Sequence, residues 1–574
     1  MNETPLESWQ QAKNCLPPWG KAPLADPPTS RSWRSLIGPG IVMMGIQIGG
    51  GEWLFGPEIT ARFGGGLMWL ATIAIVLQVF YNMEVGRYAL FCGEPIFTGF
   101  LRTRPGPFFW VPFFVLLSLG AIIPGLAFHA ASVIASLYLD RPPEEGDRSF
   151  VLLIGYFCLI AAFVPVLFGG KVYNTLQAIM SAKIIGVLGF CLVAALLLVS
   201  PSHWWDVFSG FLRLGSLPSP EAAEGQQLVN VFSFWWSEGR LPQIGLAEVA
   251  VIGAFVGFAG GGGLGNSMYS NYVRDKGWGM GLEVGAIPSA IGGKNITLSH
   301  LGKVFDMTQE NMQRWRGWWK VIIVDQVLIW APGCIVGMAL PALLSLQFAQ
   351  HSSLFEPLRQ SAPASVQVAA DPMPRSAPPR ATPALTDDEA SEPEAKADRF
   401  GWANAVITAD GMRHAPQFSP ALARLLWIAM LLMGLLVLLP SQISVVDDVS
   451  RRWTDVIWSA SSRVRDKMEQ HQVKFIYYTL CGSYFLWCML SLYLFGVYGT
   501  PRLMTLVIAN LGNLALGLTS LHVLHVNCRL LPPPMRPRWF QRIGLVLCAF
   551  FYLGLAGLVF VQKQLPMIRD MLGG

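Results

Sequence analysis

Long apolar stretches alternate along this chain with short polar connections. The stretches lie at roughly 36–62, 66–91, 108–138, 150–168, 174–200, 246–273, 318–347, 421–446, 473–498, 502–527 and 541–562, here numbered spans 1 to 11. A helix rising 1.5 Å per residue needs about twenty apolar residues to cross about 30 Å of hydrocarbon. Each stretch meets that length or approaches it, so the pattern predicts an all-α polytopic membrane protein of about eleven transmembrane helices.

Two spans carry glycine runs near their middle. Span 1 reads LIGPGIVMMGIQIGGGEWLFGPEITARFG, with Gly49, Gly50 and Gly51 followed by Glu52. Span 6 reads VIGAFVGFAGGGGLGNSMYSNYVRDKGWGMG, with Gly260 to Gly263, Gly265 and then Asn266. A glycine costs a helix about 1 kcal/mol relative to alanine, so both spans are expected to break. Unwound backbone at membrane depth is tolerated where it is buried in protein or lines a cavity. The breaks open the first and sixth spans, matched positions of two five-span halves. That is the pattern of an inverted-repeat transporter with a site at the midplane. The other reading is that the glycines only let helices approach closely.

Composition agrees with this picture: 53% of the 574 residues are hydrophobic and 13% charged, which excludes an ordinary soluble enzyme. The net charge of +5, without a basic stripe, gives no footprint for nucleic acid. Nine cysteines, odd in number and mostly in apolar stretches, suggest no disulfide framework. No signal peptide is expected, so span 1 would serve as the insertion signal. With the N-terminus inside, 26 Lys and Arg fall on the inner side, against eight on the short outer connections and C-terminus. The positive-inside rule then predicts an integral plasma (inner) membrane protein, N-terminus cytoplasmic and C-terminus external.

The expected organisation is a tail at 1–35, a first five-helix repeat at 36–200, an external connection at 201–245, a second repeat at 246–528, and an eleventh helix with the C-terminus at 529–574. The second repeat is interrupted by 351–417, rich in Pro, Ala, Ser and acids, which reads as a disordered external insertion. The Trp pairs at 204–205 and 235–236 suit a membrane interface.

A carboxylate at the bilayer centre is costly and normally faces a partner or a cavity, which singles out Glu52 as a cation ligand or proton carrier. A bare helix cap is the alternative. Gln47, Gly49, Gly51, Gly263, Asn266 and Gln442 could add amide or carbonyl oxygens, with Glu52 and Asn266 the candidate metal ligands. Ser441, Gln442 and Ser444 are expected to end or interrupt span 8 after Pro440. A weaker proton route could use His129, Glu84 and Arg87, though Glu84 and Arg87, three apart, suit a local helical pair. The spelling Gly260-x-Gly262-x-x-Gly265 lacks the strand a nucleotide site needs. His522, His525 and Cys528 lack a fourth zinc ligand.

From Gly38-Pro39-Gly40 through the break to Ala61-Arg62-Phe63-Gly64, span 1 resembles the first helix of the Nramp (natural resistance-associated macrophage protein) family of divalent-metal transporters. The resemblance implies a LeuT-like five-plus-five inverted repeat with helices 1 and 6 broken, and proton-coupled symport of a divalent cation. The family's metal-binding Asp-Pro-Gly-Asn falls on Gly49-Gly50-Gly51-Glu52, where Gly51 alone matches. Its Met-Pro-His element in span 6 is absent, and Gly-Gly-Leu-Gly-Asn stands in that region. Without a thioether, oxygen donors favour a hard ion such as manganese or magnesium. A sodium-coupled carrier of an amino acid or other small organic solute is the main rival, and a non-transporting sensor a further one. The expected partners are the lipid bilayer and the transported solute, with no cofactor and no enzymatic activity.

Overall fold

The computed structural model describes residues 15–28, 38–168, 170–223, 226–245, 248–291, 293, 295–355 and 401–565. Among these, ten helical stretches are long and apolar enough to cross a membrane, with the second half of span 1 and span 2 forming one of them, Gly51–Cys92. Span 1 is Pro39–Gln47 followed, after a turn, by Gly51–Phe55 and Gly56–Phe63. Spans 2, 4 and 5 follow as Met68–Cys92, Glu145–Leu167 and Val172–Leu198. Span 6 is Val249–Phe258, a glycine loop, Gly263–Met268 and Tyr269–Lys276. Spans 7 to 11 are Gln309–His351, Pro420–Ala460, Gln470–Val497, Pro501–Leu530 and Trp539–Gln562.

Four features depart from the sequence reading. Span 3 is divided into Pro107–Leu117 and Gly125–Leu139, with a short 3-10 turn and Pro124 between them. Span 8 does not stop at Pro440 but runs as one helix of 41 residues. The Ser441 hydroxyl donates to the Val437 carbonyl at 2.9 Å and the Ser444 hydroxyl to the Ser441 carbonyl at 2.6 Å. Such side-chain bonds occupy backbone groups near a proline and let a membrane helix continue through it. Residues 356–400 of the expected disordered insertion lie outside the described residues, but its end is ordered. Helix Ile407–His414 packs on the end of span 7, where Asp410 accepts from Ser352 Oγ at 2.7 Å and Ser353 N at 2.8 Å. Finally, residues 15–28 of the tail are docked. Gly20–Lys21 pairs in parallel with Lys303–Val304, and Trp19 packs edge-on to Phe91. Beside this strap Arg102 grips Glu94 at 2.7 Å; burial would raise the Glu94 carboxyl, but the guanidinium holds it below the ordinary carboxylate range.

Candidate functional site

The two breaks touch, and their glycines serve different ends. None of Gly49, Gly50 and Gly51 has a positive φ. They are small because span 6 and span 8 press against them. A Cβ on Gly51 would lie 2.8 Å from the Phe258 carbonyl, and one on Gly49 would lie 2.8 Å from Ser441 Oγ. The close-approach reading therefore holds for span 1. In span 6 the glycines are conformational: Gly260, Gly261, Gly262 and Gly263 have φ of 80°, 136°, 73° and 63°, backbone that other residues rarely adopt.

A cavity of about 170 Å³ opens at this junction. Gln47 and Gly50 of span 1, Gly261 to Gly265 of span 6, and Ser441 and Gln442 of span 8 all line it. The rest of the wall is mostly apolar, with Leu126, Phe258 and Ile508 among its residues, and carries one charged pair, Asp448 and Arg452. Around Gly261 the candidate amides converge. A Cβ there would meet Gln47 Nε2 at 2.2 Å and Asn266 Oδ1 at 2.9 Å.

Asn266 is fully buried behind Gly261, outside the cavity wall itself, and donates through Nδ2 to Gln78 Oε1 at 2.8 Å and Asn82 Oδ1 at 3.0 Å. Two carbonyl acceptors fix the amide's orientation and leave Oδ1 without a hydrogen-bond partner. Gln47 Oε1 accepts from Trp330 Nε1, and Gln442 Oε1 accepts from Ala127 N at 3.1 Å.

Glu52 is fully buried but does not belong to the cavity wall. It folds back on its own break, with Oε2 accepting from Gly49 N at 3.2 Å and Oε1 without a hydrogen-bond partner. Lys183, in the middle of span 5, is fully buried and donates to Ser441 Oγ at 2.6 Å. The sequence reading did not single out this residue. A lone Lys in the apolar run MSAKIIGVLG was the signal for it.

The weaker proton route is dispersed. His129 Nε2 lies 2.6 Å from Thr505 Oγ1, which lines the cavity. Thr505 already donates to the Pro501 carbonyl, so His129 donates through Nε2 and its buried Nδ1 stays unpartnered. Glu84 and Arg87 stand apart from the cavity: they pair at 2.9 Å, Asn527 donates to Glu84 at 2.9 Å, and Arg87 lies over Trp319. The pair holds spans 2, 7 and 10 together. His522 stacks on Phe100 and Trp110 and contacts Thr103 Oγ1 at 2.9 Å, a structural setting. Among the described residues no group of three or more His, Cys, Asp or Glu is placed to hold a metal ion.

Buried ion pairs close the bundle on either side of the cavity. At one end Glu58 holds Arg502 at 2.6 Å and Arg62 at 3.1 Å, joining span 1 to span 10, and Arg62 reaches Glu248 at 2.6 Å. At the other, Arg274 of span 6 holds Asp455 of span 8 at 2.6 Å, and Arg451 holds Asp447 at 2.9 Å and also Asp275.

Neither the family models nor the curated proteins include a match to this chain. Solved structures do match. A manganese transporter of Eremococcus coleocola, bound to an aromatic bis-isothiourea substituted compound, aligns over 94% of this chain and 88% of its own at 12% identity, with a TM-score of 0.52. A single-residue variant of that transporter aligns over 96% and 93% at 13% identity, also with a TM-score of 0.52. Identity this low speaks to the fold alone: the chain is an integral membrane protein with the LeuT-like transporter fold, and it shares that fold with a manganese transporter.

Proposed function

We propose that the protein is a secondary active transporter that carries a hard divalent cation, of the magnesium or manganese type, through the cavity where spans 1 and 6 break. The observation that carries this reading is the unpartnered Asn266 Oδ1, buried beside Gln47 at the meeting of the two breaks. Amide and carbonyl oxygens suit a hard ion.

Among the described residues the cavity wall holds one carboxylate, Asp448, and it is paired with Arg452, which falls short of the cluster a bare divalent ion would need. The cation therefore keeps water. Magnesium sheds its waters reluctantly, and the cavity has room for an ion with several of them. In this reading the carbonyls of the span 6 loop accept from the hydrated ion's waters, with Asn266 Oδ1 just behind Gly261, while the oxygens of Gln47 and Gln442 are already engaged by Trp330 and Ala127. Glu52 is not a direct ligand; it contributes charge from behind the break, balanced by Lys183. Import, with the N-terminus cytoplasmic and protons as the coupled ion, follows the charge asymmetry and the family resemblance.

A specific observation favours a second reading. The predominantly apolar wall, with Asp448 and Arg452 in it, also suits a small organic solute with separated charges.

Electron paramagnetic resonance of manganese added to purified protein tests the choice. The account expects a bound fraction that magnesium displaces, and about tenfold weaker binding in Asn266→Ala. Equal binding by both proteins, or no bound manganese in folded protein, would reject the cation reading.

A further inference from the structure

A second buried carboxylate lies away from the cavity, on span 7. Asp325 is 1% exposed and stands in a wide helical turn, Val324–Trp330. Oδ1 accepts from the Gly40 backbone N–H at 3.0 Å; Oδ2 accepts from the Tyr269 hydroxyl at 2.7 Å and from Gln326 Nε2 at 3.0 Å. All three donors are neutral. They come from the first turn of span 1, from the second half of span 6 and from span 7 itself. Gly40 is constrained by this contact, since a Cβ there would sit 2.7 Å from the carboxylate.

The same group is linked to the cavity. Gln326 Oε1 accepts from Asn82 Nδ2 at 3.0 Å, and Asn82 Oδ1 accepts from Asn266 Nδ2. Two residues, Gln326 and Asn82, thus join Asp325 to the amide whose oxygen lies unpartnered at the breaks.

We propose that Asp325 is a proton-binding site that latches the first half of span 1 to spans 6 and 7. As a carboxylate it accepts from three donors and completes the amino end of Pro39–Gln47, which has no side-chain cap of its own. When it takes up a proton, one oxygen becomes a donor in a shell made only of donors, Gly40 N–H at Oδ1 and Tyr269 with Gln326 at Oδ2. At least one bond is then lost or Tyr269 must turn, and the charge that attracts the helix end disappears. Protonation therefore loosens the first half of span 1, while the Gln326–Asn82–Asn266 chain carries the rearrangement to the cavity.

The groups around Asp325 leave it to act as the titrating site. Span 1's first half, Pro39–Gln47, has no titratable side chain. Span 6 presents Tyr269 and, further off, Lys276, while Asp275 is held by Arg274 and Arg451. Span 5 presents Tyr173, and span 2 presents the neutral Asn82.

The proposal concerns coupling in the transporter proposed above, yet its test needs no cargo. Hydrogen–deuterium exchange of peptides covering 39–47 is measured at pH 5.5 and pH 7.5 in the full-length protein, with rates corrected for intrinsic chemistry. Wild type should lose protection about tenfold at the lower pH. Asp325→Asn, close in size and permanently neutral, should show the low protection at both. Peptides from 501–530 serve as the fold control and should be unchanged. Protection of 39–47 that does not vary with pH in wild type, or that varies equally in Asp325→Asn, would overturn the latch. If Asp325→Asn does not fold, Asp325→Glu, which keeps a carboxylate, must retain the pH response, and its loss there would overturn the proposal. Manganese binding is read separately, so a wrong cargo leaves this outcome intact.

Discussion

Gly262→Ala is expected to abolish transport and to destabilise the folded protein by about 3 kcal/mol or more. Gly262 has φ 73° and ψ 161°, a region that is essentially glycine's alone. A Cβ there would also stand 1.6 Å from the Gly257 carbonyl oxygen. The backbone strain is about 1–3 kcal/mol, and the overlap adds a comparable cost unless the break rearranges. Either response deforms the wall of the cavity. Thermal unfolding and uptake, measured on the same preparation, should both report it. A Gly265→Ala control should unfold close to wild type, because a Cβ there meets nothing within 4 Å. A Gly262→Ala protein with wild-type stability would mean that the span 6 break is not built as described.

The second large effect concerns Lys183. Removing one member of a buried charge pair leaves the other without compensation, at a cost of about 3–5 kcal/mol. Glu52 and Lys183 are both fully buried beside the span 1 break but make no direct ion pair, so their coupling falls below that figure. Lys183→Met should therefore destabilise by about 1–2 kcal/mol, and so should Glu52→Gln. The double variant should recover most of the loss, since two neutral groups of similar size need no counter-charge. Denaturation of the four proteins forms a double-mutant cycle. Strictly additive losses would show that the two charges do not balance each other. They would then remove Lys183 from the site.

How much of this was legible in the sequence depended on the kind of signal. Spans of twenty apolar residues leave helix as the one way to satisfy the backbone in lipid, so the helical fold could be read directly. Glycine runs placed both breaks, and Gln47 and Gln442 line the cavity beside them. The purpose of each run was not legible, because close approach and positive φ leave the same spelling. Only coordinates separate Gly51, pressed against Phe258, from Gly262 with its unusual backbone.

Single polar residues in otherwise apolar runs were the weakest part of the reading. Glu52 stood out beside three glycines. Lys183 and Asp325 carried the same kind of signal without a conspicuous neighbour, and both lie in spans read chiefly for their length. Pro440 suggested a stop because proline interrupts helices, but the hydroxyls of Ser441 and Ser444 stabilise the helix through it. The contact of Glu58 with Arg502 spans 444 positions, so no local pattern could have indicated it. The end of the Pro-rich segment was misjudged because composition averaged it with its neighbours. Read by itself, 407–414 has Ile407 and Met412 to bury and Asp410 to anchor it.

Uptake of manganese and magnesium by the purified protein in liposomes, with an imposed proton gradient, tests the central claim most directly. Wild type, Asn266→Ala and empty liposomes are compared, and a mixture of labelled amino acids is run alongside. The account predicts saturable uptake of at least one metal by wild type, reduced about tenfold or more in Asn266→Ala, and no amino-acid uptake above empty liposomes. Saturable amino-acid uptake with metal flux at background, from protein shown to be folded, would contradict it and assign the cavity to an organic solute.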